Sequence, residues 1–112
     1  MAGLIYTIPT RIVSSTLIHD IPCFLAKIVI GSDGTNNPVM AVYNEDDDSQ
    51  TAAAEILPSQ TYDAIALGLN GIVYQFMEYL DTGLYVAISN IGSGSVVVSS
   101  RTKSSLHKVK FI

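Results

Sequence analysis

Turn-forming clusters interrupt this 112-residue chain at short intervals: GSDGTNNP at 31–38, NEDDDSQ at 44–50, LPSQ at 57–60, LNG at 69–71, LDTG at 80–83 and IGSGS at 91–95. The segments between them are too short for ordinary helices. They are rich in β-branched and aromatic residues, and several show the period-two alternation of strands with one buried face. In LYVAIS, Leu84, Val86 and Ile88 share a face. In CFLAKIVI, an unbroken alternation puts Phe24, Ala26, Ile28 and Ile30 on one side and Leu25, Lys27 and Val29 on the other. Strands are therefore expected near 4–8, 11–18, 23–30, 38–43, 52–57, 61–67, 72–79, 84–90, 95–100 and 107–112. So many short strands joined by regular turns predict an all-β fold, an antiparallel β-sandwich.

The competing element is a helix over AIALGLNGIVYQFMEYL, residues 64–80, which is long, apolar and free of proline. Gly68, Asn70 and Gly71 oppose it, at a cost of roughly 2 kcal/mol relative to alanine. Asn-Gly between two apolar runs instead signals a hairpin. The three alanines of QTAAAE favour a short helical turn.

The length suits one domain with a single core. With 48% hydrophobic and 14% charged residues, the chain is apolar for its size, which points to surface buried against copies of itself or a partner. A net charge of -4 without a basic, aromatic-interleaved run disfavours nucleic acid. The single Cys23 in IPCFL cannot form an intrachain disulfide and reads as a small buried apolar group. MAGLIYTIPTR lacks the basic segment and continuous apolar core of a secretory signal. The uncharged stretch 82–100 is broken by Ser89, Asn90 and Gly-Ser-Gly-Ser, so no transmembrane span is expected.

Residues that could carry chemistry are sparse. His19 and Asp20 are adjacent, and neighbours on a strand point to opposite faces. His107 lies in a basic tail, and no serine occupies a nucleophile elbow. The glycine clusters lack the lysine of a phosphate loop, and the histidines and cysteine lack metal-ligand spacing. The acidic run YNEDDDSQTAAAE places Asn44, Asp46, Asp48 and Glu55 at EF-hand positions one, three, five and twelve. Ser49 stands where the sharp turn of that loop wants glycine, and the flanks read as strands rather than helices. A solvated turn between strands is the better reading. Tyr74, Tyr79 and Tyr85 offer rings for sugar stacking, although Tyr74 and Phe76 share a face with Ile72 and read as core. Neither catalysis, cofactor binding nor metal binding is expected.

The final segment RTKSSLHKVKFI holds four of the six basic residues. Val109 and Phe111 alternate with Lys108 and Lys110, as in a closing edge strand protected by lysines or in an arm that adds to a neighbouring subunit's sheet. The expected organisation is an N-terminal arm at 1–10, a core at 11–100 and a basic C-terminal strand or arm at 101–112.

RIVSSTLIHD, IPCFLAKIVIGSDG, VYNEDDDSQTA, NGIVYQF, TGLYVAIS and GSGSVVVS, taken in this order, resemble small virion proteins of tailed bacteriophages. These are jelly-roll-like sandwiches that serve as capsid decoration or cement proteins and as modules of tail and adsorption structures. The resemblance spans residues 11–100 and is carried by a pattern of short apolar strands. Its most specific element is GLYV at 83–86, where a glycine turn delivers the next-to-last core strand. The resemblance implies a jelly-roll-like sandwich of about eight core strands with terminal extensions. It implies a decoration subunit, homotrimeric on the capsid surface and made in the host cytoplasm. Such a subunit stabilises the head by multivalent contacts with major capsid proteins and binds neither nucleic acid nor membrane. Terminal extensions in such proteins contact neighbours, which makes Leu4, Ile5, Tyr6, Lys108, Lys110 and Phe111 the expected partner-binding residues. The alternative is a receptor- or glycan-binding module of a phage tail or adsorption structure.

Overall fold

The computed structural model describes residues 7–69 and 71–102. Among these are eight strands: β1 Ile8–Ile12, β2 Thr16–His19, β3 Cys23–Gly31, β4 Val39–Tyr43, β5 Glu55–Thr61, β6 Ile72–Leu80, β7 Leu84–Ser89 and β8 Ser95–Thr102. They form two four-stranded antiparallel sheets, in the orders β1-β8-β3-β6 and β2-β7-β4-β5. The pairings are nested: β1 with β8, β2 with β7, β3 with β6 and β4 with β5. The chain is thus an antiparallel ribbon doubled back and wrapped into two facing sheets, the jelly-roll arrangement. The expected all-β sandwich is present.

Between the sheets lie Leu25, Ile28, Ile30, Met40, Val42, Leu84, Val86, Val96 and Val98, all fully buried. On β4 and β7 the alternation behaves as the sequence indicates. Met40 and Val42 face inward with Leu84, Val86 and Ile88, while Ala41, Tyr43, Tyr85 and Ala87 form a second cluster outside the main core.

On β3 the alternation fails. Cys23 and Leu25 are core, Lys27 is exposed, and Ile28 and Ile30 are core again. The register shifts between Leu25 and Lys27, with Leu25 opposite Ser100 and Lys27 opposite Ser99. Ala26 is therefore an extra residue, a β-bulge that reverses the inward face midway along the strand. The register with β6 shifts at the same place, and Met77 opposite it has φ +50°.

Several expected elements are replaced. The strand expected at 11–18 is two strands in different sheets, separated at 13–15, where the Ser15 hydroxyl donates to the Ile88 carbonyl and accepts from its N–H. The helical turn expected in QTAAAE is present as a 3-10 turn, Ala52–Ala54, so β5 begins only at Glu55. LPSQ is not a turn but lies within β5, an edge strand where proline removes no necessary ladder bond. The strand expected at 61–67 is replaced by a one-turn helix, α1 Ala64–Leu67, in which the Ile65 and Ala66 N–H groups donate to the Asp63 carboxylate. The expected Asn-Gly hairpin is absent, since β6 pairs with β3 rather than with the preceding segment. Gly71 instead takes φ +62°, and a Cβ there would collide with the Ile30 carbonyl. Among the described residues no helix is long and apolar enough to cross a membrane.

Candidate functional site

Nesting sends the connections to two opposite ends of the sandwich. At one end meet the segments 13–15, 32–38, 62–69 and 90–94. Their hub is GSDGTNNP. The Asp33 carboxylate accepts from the N–H groups of Thr35, Asn36 and Ser93, at 2.9, 2.8 and 3.0 Å, and from the Asn36 side-chain amide. Asn37 accepts from Ala64 N–H through its side chain and from the Asn90 amide through its carbonyl. The buried Ser32 hydroxyl donates to the Ala64 carbonyl. The sequence marked this segment only as a turn; its role in tying three connections together depends on partners up to 60 residues away.

These hydrogen bonds hold the Asp33 carboxyl well below the usual carboxylate range. A depressed folded-state value means that the unfolded chain binds the proton first as pH falls. The stability that Asp33 contributes is therefore present above its ordinary value of 3.8 and is lost as pH falls through the folded-state value. Thermal unfolding across a pH series should show Asp33→Ala melting below the parent at neutral pH, with the gap closing in strong acid. A gap independent of pH would mean that the carboxylate charge contributes nothing.

The same end carries exposed apolar side chains. Ile65 and Leu69 are each 84% exposed, with Val13, Ile72 and Val73 also open to solvent. The acidic residues at this end are Asp33 and Asp63, and both carboxylates accept backbone hydrogen bonds within their own turns.

At the opposite end meet 20–22, 44–54 and 81–83, and here the charge is concentrated. Asp20, Glu45, Asp46, Asp47, Asp48 and Asp81 lie in these connections, with Glu55 and Glu78 near the adjoining strand ends. The acidic run does not gather its oxygens. Asn44 donates to Asp81 at 2.9 Å and accepts from the Thr82 and Gly83 N–H groups. Glu45 turns back to accept from Thr51 N–H, and Asp47 accepts from Ser49 N–H. Among the described residues no three histidine, cysteine or acidic side chains converge as a metal site.

His19 points into the sandwich, and its Nε2 lies 2.9 Å from the Ser100 hydroxyl on the opposite sheet. Burial lowers its pKa, partly offset by Asp20. Ser100 is only 2% exposed and His19 is half-buried, and the pair ties the two sheets together. Cys23 is also buried, and desolvation pushes its thiol up to about 11, which keeps it protonated at neutral pH.

The tyrosines divide by face. Tyr74 lies against the core and shares a 2.8 Å hydrogen bond with Tyr62. Tyr79 is exposed on the outer side of the first sheet, opposite Phe24, whose ring lies 5.1 Å from the Arg101 guanidinium carbon. Tyr85 is buried beside Tyr43 on the outer side of the second sheet, with ring centroids 6.3 Å apart.

Next to this tyrosine pair the second sheet is hollowed. Ala41 opposes Ala87, and Val39 opposes Ser89, so small side chains form a floor between Tyr43 on one side and Ser89 on the other. Gln50 from the acidic connection and Ser59 from β5 complete a cavity of about 220 Å³. No local pattern in the sequence marks it, because its walls come from five segments, Ser15 included, that only the fold brings together.

The expected partner-binding residues Leu4, Ile5, Tyr6, Lys108, Lys110 and Phe111 lie outside the described residues. Compared with protein-family models, curated proteins and solved structures, the chain shows no match.

Proposed function

We propose that this protein is a structural virion subunit, a capsid decoration or cement protein that binds major capsid proteins of a phage head as an oligomer. The observation that carries the reading is the polarity of the sandwich. One end exposes Val13, Ile65, Leu69, Ile72 and Val73, while eight carboxylates lie at or near the other. An apolar end left in water is unfavourable, and burying it against a partner releases that cost, at roughly 25 cal/mol per Å². The acidic end would face solvent and keep neighbouring subunits from aggregating. A jelly roll needs no catalytic pocket for this role, and several weak contacts from an oligomer on a repeating lattice multiply into firm attachment. The likeness of its strand pattern to small phage virion proteins supports the same reading; fold alone does not assign function.

Co-sedimentation of the purified protein with undecorated capsids, and separately with host cells, tests this. Binding to capsids is expected, and Ile65→Asp with Leu69→Asp should weaken it at least about tenfold, since placing two charges in an apolar contact costs more than 1.4 kcal/mol. Both side chains are exposed, so the melting temperature should hardly move. Sedimentation with cells but not capsids would reject the cement reading in favour of an adsorption module.

A further inference from the structure

We propose that the hollow on the outer side of the second sheet is a binding site for a neutral carbohydrate, of the size of one sugar ring. Three features converge on that class. The first is shape: paired Ala41 and Ala87 leave a flat apolar floor, and the Tyr43 ring flanks it. Such a surface suits the C–H face of a pyranose. The volume of about 220 Å³ lies below the roughly 300–1,000 Å³ typical of drug-sized ligands.

The second feature is hydrogen-bonding capacity. Tyr43 lines the cavity, and its hydroxyl, which reaches solvent, has no hydrogen-bond partner among the described residues and is open to a ligand. The side chains of Gln50, Ser59 and Ser89 add neutral donors and acceptors around the rim. Gln50 is held there with φ +54°, an uncommon conformation for a residue other than glycine.

The third is charge. No charged side chain lines the hollow, and Glu55 is paired directly opposite Tyr43 on β5. A carboxylate so close disfavours an anionic ligand and leaves a neutral polyol as the best match. The site opens on a sheet face and is lined by neither Ile65 nor Leu69, so its success or failure can be told apart from that of the capsid-binding reading.

The test is amide chemical-shift mapping with the intact protein against methyl glycosides of glucose, galactose and N-acetylglucosamine, with sialic acid as the anionic comparison. At least one neutral glycoside should shift the amides of Ala41, Gln50, Ala87 and Ser89, while sialic acid should not. Tyr43→Phe should weaken binding about fivefold, the loss of one hydrogen bond. Ala87→Leu should fill the floor and abolish binding while its spectrum remains that of a folded protein. Should Ala87→Leu unfold, Ser89→Leu blocks the same hollow from an exposed position. The proposal is overturned if no neutral glycoside shifts these amides, if sialic acid binds as well, or if the folded blocking variant binds like the parent.

Discussion

Replacing Ile28 by alanine should destabilise this domain by about 2–5 kcal/mol, the cost of truncating a fully buried side chain. A domain of this size has a total stability of about 5–15 kcal/mol, so the loss is a large part of the whole. Ala26 is the extra residue that lets Cys23 and Leu25 on one side of it, and Ile28 and Ile30 on the other, all face inward. Deleting it leaves a strand in strict alternation with those four residues still inward and Lys27 still outward. The deletion should therefore retain a cooperative thermal transition and cost less than Ile28→Ala. Calorimetry on both variants checks the ranking; loss of the transition on deletion would show that the neighbouring strands need the bulge itself.

Replacing Gly83 by alanine should lower the stability by about 2–3 kcal/mol, as overpacking of a close contact does. That corresponds to a melting temperature lower by roughly 10 °C. The glycine is buried where the three connections of the acidic end meet. An added Cβ would lie 2.5 Å from the Glu45 carbonyl oxygen, 2.6 Å from that of His19 and 3.0 Å from the Asp46 Cα. All three are backbone atoms, so the collision can be relieved only by spreading the connections. In the sequence this glycine reads as the turn that delivers the next-to-last strand. The structure supplies a more specific reason: Gly83 is where the chain segments before β3, after β4 and before β7 touch. Urea unfolding of the alanine variant measures the cost, and a midpoint equal to the parent's would show that these connections yield freely.

The elements legible in the sequence are those whose cause is local. Alternation and β-branched content identified β4, β7 and β8, because one buried face imposes period two wherever a strand is regular. The alanines of 52–54 announced their turn for the same local reason. The sequence also gave the all-β sandwich, since strands this short and this numerous have few other ways to bury one face each.

What the tertiary structure decided is everything whose partner is distant. Phe24, Ala26, Ile28 and Ile30 looked like one face, but a bulge is set by pairing with β8, whose residues lie some seventy positions away. The Asn-Gly turn looked like a hairpin, yet β6 finds β3, across about fifty residues, and the intervening chain forms a capped helical turn. Likewise, the carboxylates spread from Asp20 to Asp81 become one acidic end only through nesting. The hollow beside Tyr43 exists only because Ala41 is registered against Ala87. Local propensity is worth tenths of a kcal/mol per residue, whereas burial of a large side chain is worth about 1.5–3 kcal/mol. Where the two conflict in this chain, the long-range packing wins.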